Sequence, residues 1–196
     1  MKATVLSFQI IQALVILVFL VFVSDIRKKN KTKLLINPLL LRIMKVIYAI
    51  PLGLFLFAVI TMKSIFIKDW IALLLTVVGL IIVINAKTTL GDNHSWTGYG
   101  TFPKSFSATG IYSIIRHPMY LGIYLCIIGM ILFIFNHLSL PLFILDIIGS
   151  GYIIFILNTS AKRETEHLKG LFGNHFEKYC NTIPAYLPRI YKKIND

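Results

Sequence analysis

The residues best equipped for chemistry fall in two clusters. The first is residues 109–122, Thr-Gly-Ile-Tyr-Ser-Ile-Ile-Arg-His-Pro-Met-Tyr-Leu-Gly. Pro118 suits the first turn of a helix, where no backbone donor is needed. Arg116 and His117 therefore stand at a helix entrance, where free N–H groups and the helix dipole favour an anionic group. Tyr120 and Tyr124 follow one turn apart. The second cluster is an amphipathic helix expected over residues 161–179, with Leu168, Leu171, Phe172, Phe176 and Tyr179 on one stripe. Glu164, four residues before Leu168, projects from that stripe, whereas Glu166 falls with Lys169, Gly170 and Gly173 on the wetter side. A carboxylate on the buried side of such a helix is costly unless a cation meets it. Arg116 or a ligand ammonium can be that cation. Pro184 and Pro188 then stop the helix and return the chain as an extended segment.

Other chemistries find less support. There is no Walker loop, no GxGxxG after a strand, no HExxH and no GxSxG. Cys126 lies in an apolar block and Cys180 in a polar tail, so neither a disulfide nor a zinc site is expected. His137, His167 and His175 make no convincing metal set. His94 and Trp96 sit in a long loop where they can shape a lid. Asp146 lies midway along an apolar block, where an ionisable group is either functional or bonded within a helix bundle.

Taken together, Gly-x-Tyr-x-x-x-Arg-His-Pro-x-Tyr-x-Gly at 110–122, Glu-x-x-x-Leu-x-x-x-Phe-Gly-x-x-x-x-x-Tyr at 164–179 and Pro-x-x-x-Pro at 184–188 resemble the isoprenylcysteine carboxyl methyltransferases. Membrane phospholipid methyltransferases share much of this pattern. The resemblance spans roughly residues 86–190 and implies S-adenosylmethionine binding without a Rossmann fold. It implies that Tyr112, His117, Pro118, Met119 and Tyr120 line the cofactor pocket and that Glu164 approaches from the tail helix. Arg116 and Arg163, with Lys162 nearby, are the candidates for holding a substrate carboxylate. No acid–base catalyst is expected, because a carboxylate is already ionised at neutral pH and the protein has mainly to align two reactants and exclude water. The implied reaction is O-methylation of an isoprenylcysteine-like lipid. N-methylation of a phospholipid amine, a membrane sterol or enone reductase and a non-catalytic assembly factor stand as alternatives. Membrane lipids and a lipidic or prenylated substrate are the expected partners, and nucleic acid is not.

The elements that must carry these residues are membrane helices. Of 196 residues, 57% are apolar or aromatic and 14% charged, with a net charge of +12. The apolar residues run in blocks near the length that crosses a hydrocarbon core, which excludes a soluble globular domain, a disordered chain and a disulfide scaffold. Five spans are expected, at 4–23, 46–62, 70–85, 120–135 and 138–157. The second has room to begin near Pro38, and Pro51 can kink it. The fourth and fifth, joined by Asn136 and His137, are expected to pack as a tight pair through Gly122, Gly129, Gly149 and Gly151. The first is expected to be a retained span rather than a cleaved signal. Only Lys2, Lys63 and Lys68 of the 20 Lys and Arg fall on one side of this arrangement. The positive-inside rule therefore expects an outside amino terminus, with residues 86–119, the tail and the basic cluster 27–33 cytoplasmic and the cluster against lipid headgroups. The expected fold is an all-α membrane protein. It has three amino-terminal spans in residues 1–85 and a methyltransferase core in 86–196, made of a cofactor loop, a helix hairpin at 120–157 and a carboxy-terminal helix.

Overall fold

The computed structural model describes residues 2–23, 32–91, 94 and 97–187. Arg27, Lys28, Lys29 and Lys31 of the basic cluster, Trp96, Pro188, Arg189, Lys192 and Lys193 lie outside the described residues. The chain is a multi-pass, all-α membrane protein with five spans. They are α1 (Lys2–Val23), the bent pair α2 (Pro38–Ile47) and α3 (Ala49–Thr61), α4 (Ile67–Leu90), α5 (Pro118–His137) and the first half of α6 (Leu140–Thr182). The second span does start at Pro38, where the Asn37 side chain accepts the Leu39 N–H at 2.8 Å and caps the helix. Pro51 has no N–H for the Ile47 carbonyl, and the helix breaks at Tyr48.

The fifth span and the tail helix form one element rather than two. At 43 residues, α6 is about 65 Å long, twice what a hydrocarbon core requires. Residues 140–159 suffice to cross, and the remainder projects beyond the bundle. Its helical path is interrupted only at Gly173 (φ 53°, ψ −136°). Tyr152 Oη donates to the Leu40 carbonyl at 3.1 Å and ties α6 to α2.

The expected pairing of the last two spans is corrected by the packing. The connection is Leu138 and Ser139, and α5 lies most closely on α4. A Cβ built on Gly79 of α4 would lie 2.5 Å from the Gly122 carbonyl oxygen, and one on Gly122 lies 2.6 Å from that of Gly79. Gly129 meets Ala72 and Thr76 of α4, so both α5 glycines serve the α4 seam. Gly149 instead faces Pro51 and Ile47, and Gly151 faces open space. Packing between small residues supplies what lipid-exposed helices lack in hydrophobic driving force.

At the far end of α5, Asp69 is fully buried. Its carboxylate accepts the Phe66 N–H at 2.8 Å and Asn136 Nδ2 at 3.0 Å, and His137 Nε2 lies 3.1 Å away. This cluster pins the start of α4 to the end of α5. At the opposite end, an unforeseen two-stranded ribbon joins the loops. Strand β1 (Thr32–Leu34) pairs antiparallel with β2 (Tyr99–Thr101), placing Lys33 opposite Gly100.

Candidate active site

Between the ribbon end of the bundle and the projecting half of α6 lies a cavity enclosing about 850 Å³, part of it open to solvent. Three walls converge on it. His94 and loop residues between Gly100 and Ser107 form one, a 3-10 turn (Gly110–Ser113) with the entrance of α5 forms the second, and α6 supplies the third.

Tyr112, Arg116, His117, Met119, Tyr120 and Glu164 all line this cavity, so residues far apart in sequence meet in one place. Two do not take the expected place. Pro118 is buried at the first position of α5 and shapes the entrance without lining the space. Arg163 points off the cavity, with its side chain 58% exposed and its guanidinium 2.9 Å from Glu166 on the same outer face. Arg163 and Glu166 are three residues apart and Glu164 sits on another face, which is why one helix stretch serves both solvent and cavity. Lys162 is exposed as well. Asp146 is buried in the span, remote from this cavity's lining.

The electrostatics are unusual for so small a space. Tyr120 Oη donates to Glu164 Oε1 at 2.5 Å. Removal from water pushes the Glu164 carboxyl up to about 7, against the opposing pull of that hydrogen bond. Arg116 offers the complementary charge yet does not pair with it. Among the described residues no ion pair links them, and the buried Arg116 Nε has no hydrogen-bond partner. A buried unpaired donor is expensive unless a ligand meets it. His117 is pushed down to about 4, by burial first and by the Arg116 charge second, and is therefore neutral at pH 7. Burial also raises Tyr112, which stays protonated.

The α5 entrance is less open than its sequence suggests. After α6, the segment 183–187 folds back over it. The Arg116 N–H donates to the Pro184 carbonyl at 2.8 Å and the His117 N–H to that of Ala185 at 2.9 Å. Those two donors are not free for an anion, whereas the Arg116 side chain lines the cavity. Tyr186 lays its ring 5.9 Å from His117 and 5.6 Å from Tyr124 and donates to Asn158 Oδ1 at 3.0 Å.

Gly173 lets the last turns of α6 close the rim. Its positive φ redirects the helix so that Tyr179 Oη donates to the Tyr112 carbonyl at 2.6 Å. Phe106 then sits among Phe172, Phe176 and Tyr179, with ring centroids 5.1–5.4 Å away. Sequence reasoning missed Phe106, Ser105, Ser107 and Thr101 of the lining, since an irregular loop has no period to mark an inward face. His167 had a signal: it lies three residues after Glu164, on the same helix face. It lines the cavity and donates from Nε2 to the Thr101 carbonyl at 2.9 Å. His94 also lines it. Among the described residues, no group of His, Cys, Asp or Glu is placed to hold a metal.

Residues 67–175, more than half of the chain, match the family model described as phospholipid methyltransferase. The match opens at the first residue of α4 and takes in Arg116, His117, Glu164 and Gly173. No curated protein matches the chain.

Proposed function

The chain belongs to the phospholipid methyltransferase family, and on that premise we propose that it transfers methyl groups from S-adenosylmethionine to a lipid at the membrane interface. One observation carries the choice of cofactor: Glu164 and Arg116 line one cavity, bear opposite charges and do not neutralise each other. The amino-acid end of S-adenosylmethionine presents an ammonium and a carboxylate, so Glu164 takes the first and Arg116 the second. Tyr112 and Tyr120 offer aromatic faces to adenine or to the sulfonium. When bound, S-adenosylmethionine supplies an electrophilic methyl group that passes in line to the acceptor while the sulfur leaves as a neutral thioether. Phe106 and the aromatic rings around it give that step an apolar wall.

For the acceptor, a lipid amine is the reading the geometry supports best. A substrate carboxylate was expected to meet Arg116 and Arg163, with Lys162 nearby, but Arg163 and Lys162 are exposed away from the cavity. Among the described residues Arg116 is the one Lys or Arg in the lining, and the cofactor carboxylate already requires it. The isoprenylcysteine reading thus lacks a cation, whereas an amine needs none. The amine must shed one proton for each methyl it gains, and that proton passes to water at the open side of the cavity. By the charge bias of its loops, the cavity faces the cytoplasm.

The test is titration of detergent-purified protein with S-adenosylmethionine, followed by transfer of labelled methyl to phosphatidylethanolamine and to a prenylcysteine analogue. Saturable binding that weakens in Glu164→Gln and in Arg116→Gln, with base-stable label on the amine lipid, is the expected result. Base-labile label on the prenylcysteine analogue alone would restore the carboxylate reading. No binding by the unmodified protein would end both.

A further inference from the structure

The hydroxyl of Thr165 fixes more than its own helix. Thr165 Oγ1 donates its one proton to the Ala161 carbonyl at 2.9 Å. The same oxygen lies 3.0 Å from His117 Nε2. While its proton stays in that bond, Oγ1 can only accept, an arrangement that places the His117 hydrogen on Nε2. A neutral imidazole has one such hydrogen, and Nδ1 is then left with a lone pair. Among the described residues Nδ1 has no hydrogen-bond partner, the His117 side chain does not cap its own helix, and His117 lines the cavity.

We propose that Thr165 is a positioning residue that locks His117 in the Nε2–H tautomer, so that Nδ1 accepts an N–H from the bound ligand. The inference rests on the methyltransferase reading for the identity of that ligand, but not for the tautomer. An N–H donor reaches this cavity from two sources, the ammonium of the cofactor and the amine of the acceptor lipid, and both offer the same chemistry to Nδ1. A carboxylate acceptor would meet a lone pair there and be repelled. The groups facing His117 are Arg116 beside it, Tyr120 on α5, Glu164 on α6 and Tyr186 on the returning segment. Of these Arg116 disfavours a second positive charge, in keeping with a neutral ring at pH 7.

Nitrogen NMR of ring-labelled histidine in full-length protein tests the lock directly, with the His117 signals assigned by their loss in His117→Asn. The expected spectrum shows a protonated Nε2 and a bare Nδ1. Thr165→Val, nearly isosteric but without the acceptor, should give a mixture of tautomers, and Thr165→Ser should restore the single form. Two binding arms identify the donor. If the cofactor ammonium is the partner, Thr165→Val weakens S-adenosylhomocysteine about tenfold and leaves its des-amino analogue unchanged. If the acceptor amine is the partner, cofactor affinity holds and the KM for phosphatidylethanolamine rises by a similar factor. A protonated Nδ1 in the unmodified protein, or an unaltered spectrum in Thr165→Val, overturns the proposal. Failure of the unmodified protein to bind S-adenosylhomocysteine would instead count against the cofactor reading, leaving the tautomer to be decided by the spectra.

Discussion

Tyr120 and Glu164, 44 residues apart in sequence, share a 2.5 Å hydrogen bond from phenol to carboxylate across the junction of α5 and α6. The bond holds the carboxylate in place while burial holds its proton affinity near neutrality. Glu164 is therefore partly protonated at pH 7 when no cation faces it.

Cofactor binding should accordingly depend on pH with a definite sign. An ammonium binds the ionised carboxylate, so affinity rises with pH towards and through about 7 and falls about tenfold per unit well below it. Above about 8 the α-amino group of the ligand loses its own proton, and affinity should decline again. Titration calorimetry in buffers of different ionisation heat should record proton release on binding near pH 7. Glu164→Gln should abolish the acid limb and weaken binding about tenfold to a hundredfold, the loss of about 1.5–3 kcal/mol typical of a charged hydrogen bond. An acid limb that survives in Glu164→Gln would assign it to another group.

The α4–α5 seam predicts a steep steric penalty. Gly122→Ala places a methyl 2.6 Å from a backbone oxygen and 2.8 Å from Val83 Cγ2, and backbone does not rotate away. A loss of about 1–3 kcal/mol is expected, read as a lower melting temperature in detergent. Gly151→Ala, where nothing lies within 4 Å, is the matched control and should change stability little.

At Gly173 the cost is conformational. Nothing crowds a methyl there, but φ is +53° with ψ −136°, and an L-residue held in so sparsely allowed a region loses about 1–3 kcal/mol. Gly173→Ala should straighten α6, detach Tyr179 from the Tyr112 carbonyl and weaken cofactor binding. Gly170→Ala, one turn earlier with an ordinary φ and open space, should not. Equal effects from the two variants would mean that the bend does not shape the cavity.

Orientation is testable by labelling. In a Cys180→Ser background, cysteines introduced at Ser64 and Ser139 should react with an impermeant reagent from outside the cell. Those at Lys104 and Lys178 should react only after the membrane is opened. The reverse pattern would invert the assignment drawn from loop charge.

Most of the architecture was legible because membrane spans announce themselves by length and apolarity. The meeting of Glu164 with the α5 entrance followed from a carboxylate placed on an apolar stripe. Helix neighbours were less legible. Gly122 and Gly129 mark a close contact without naming the partner, and the short link read at Asn136–His137 pointed to α6 when the contact belongs to α4. Arg163 was misplaced because one residue along a helix turns a side chain by about 100°, enough to move it from cavity to solvent. The ribbon of three-residue strands, which brings Thr101 to His167, is too short to leave a pattern in the sequence.

The crossing of Gly79 and Gly122 also determines where the bundle is able to part. Two backbones in direct contact have no side chains to swing aside, so α4 and α5 travel as a single plank. The contact of α5 with α6 is far sparser, and along its cavity end it is bridged by Tyr186 lying on Tyr124 and bonded to Asn158. Tyr186 thus ties α5 to α6 at the cavity end, a part that the chain supplies only after the whole bundle has been laid down.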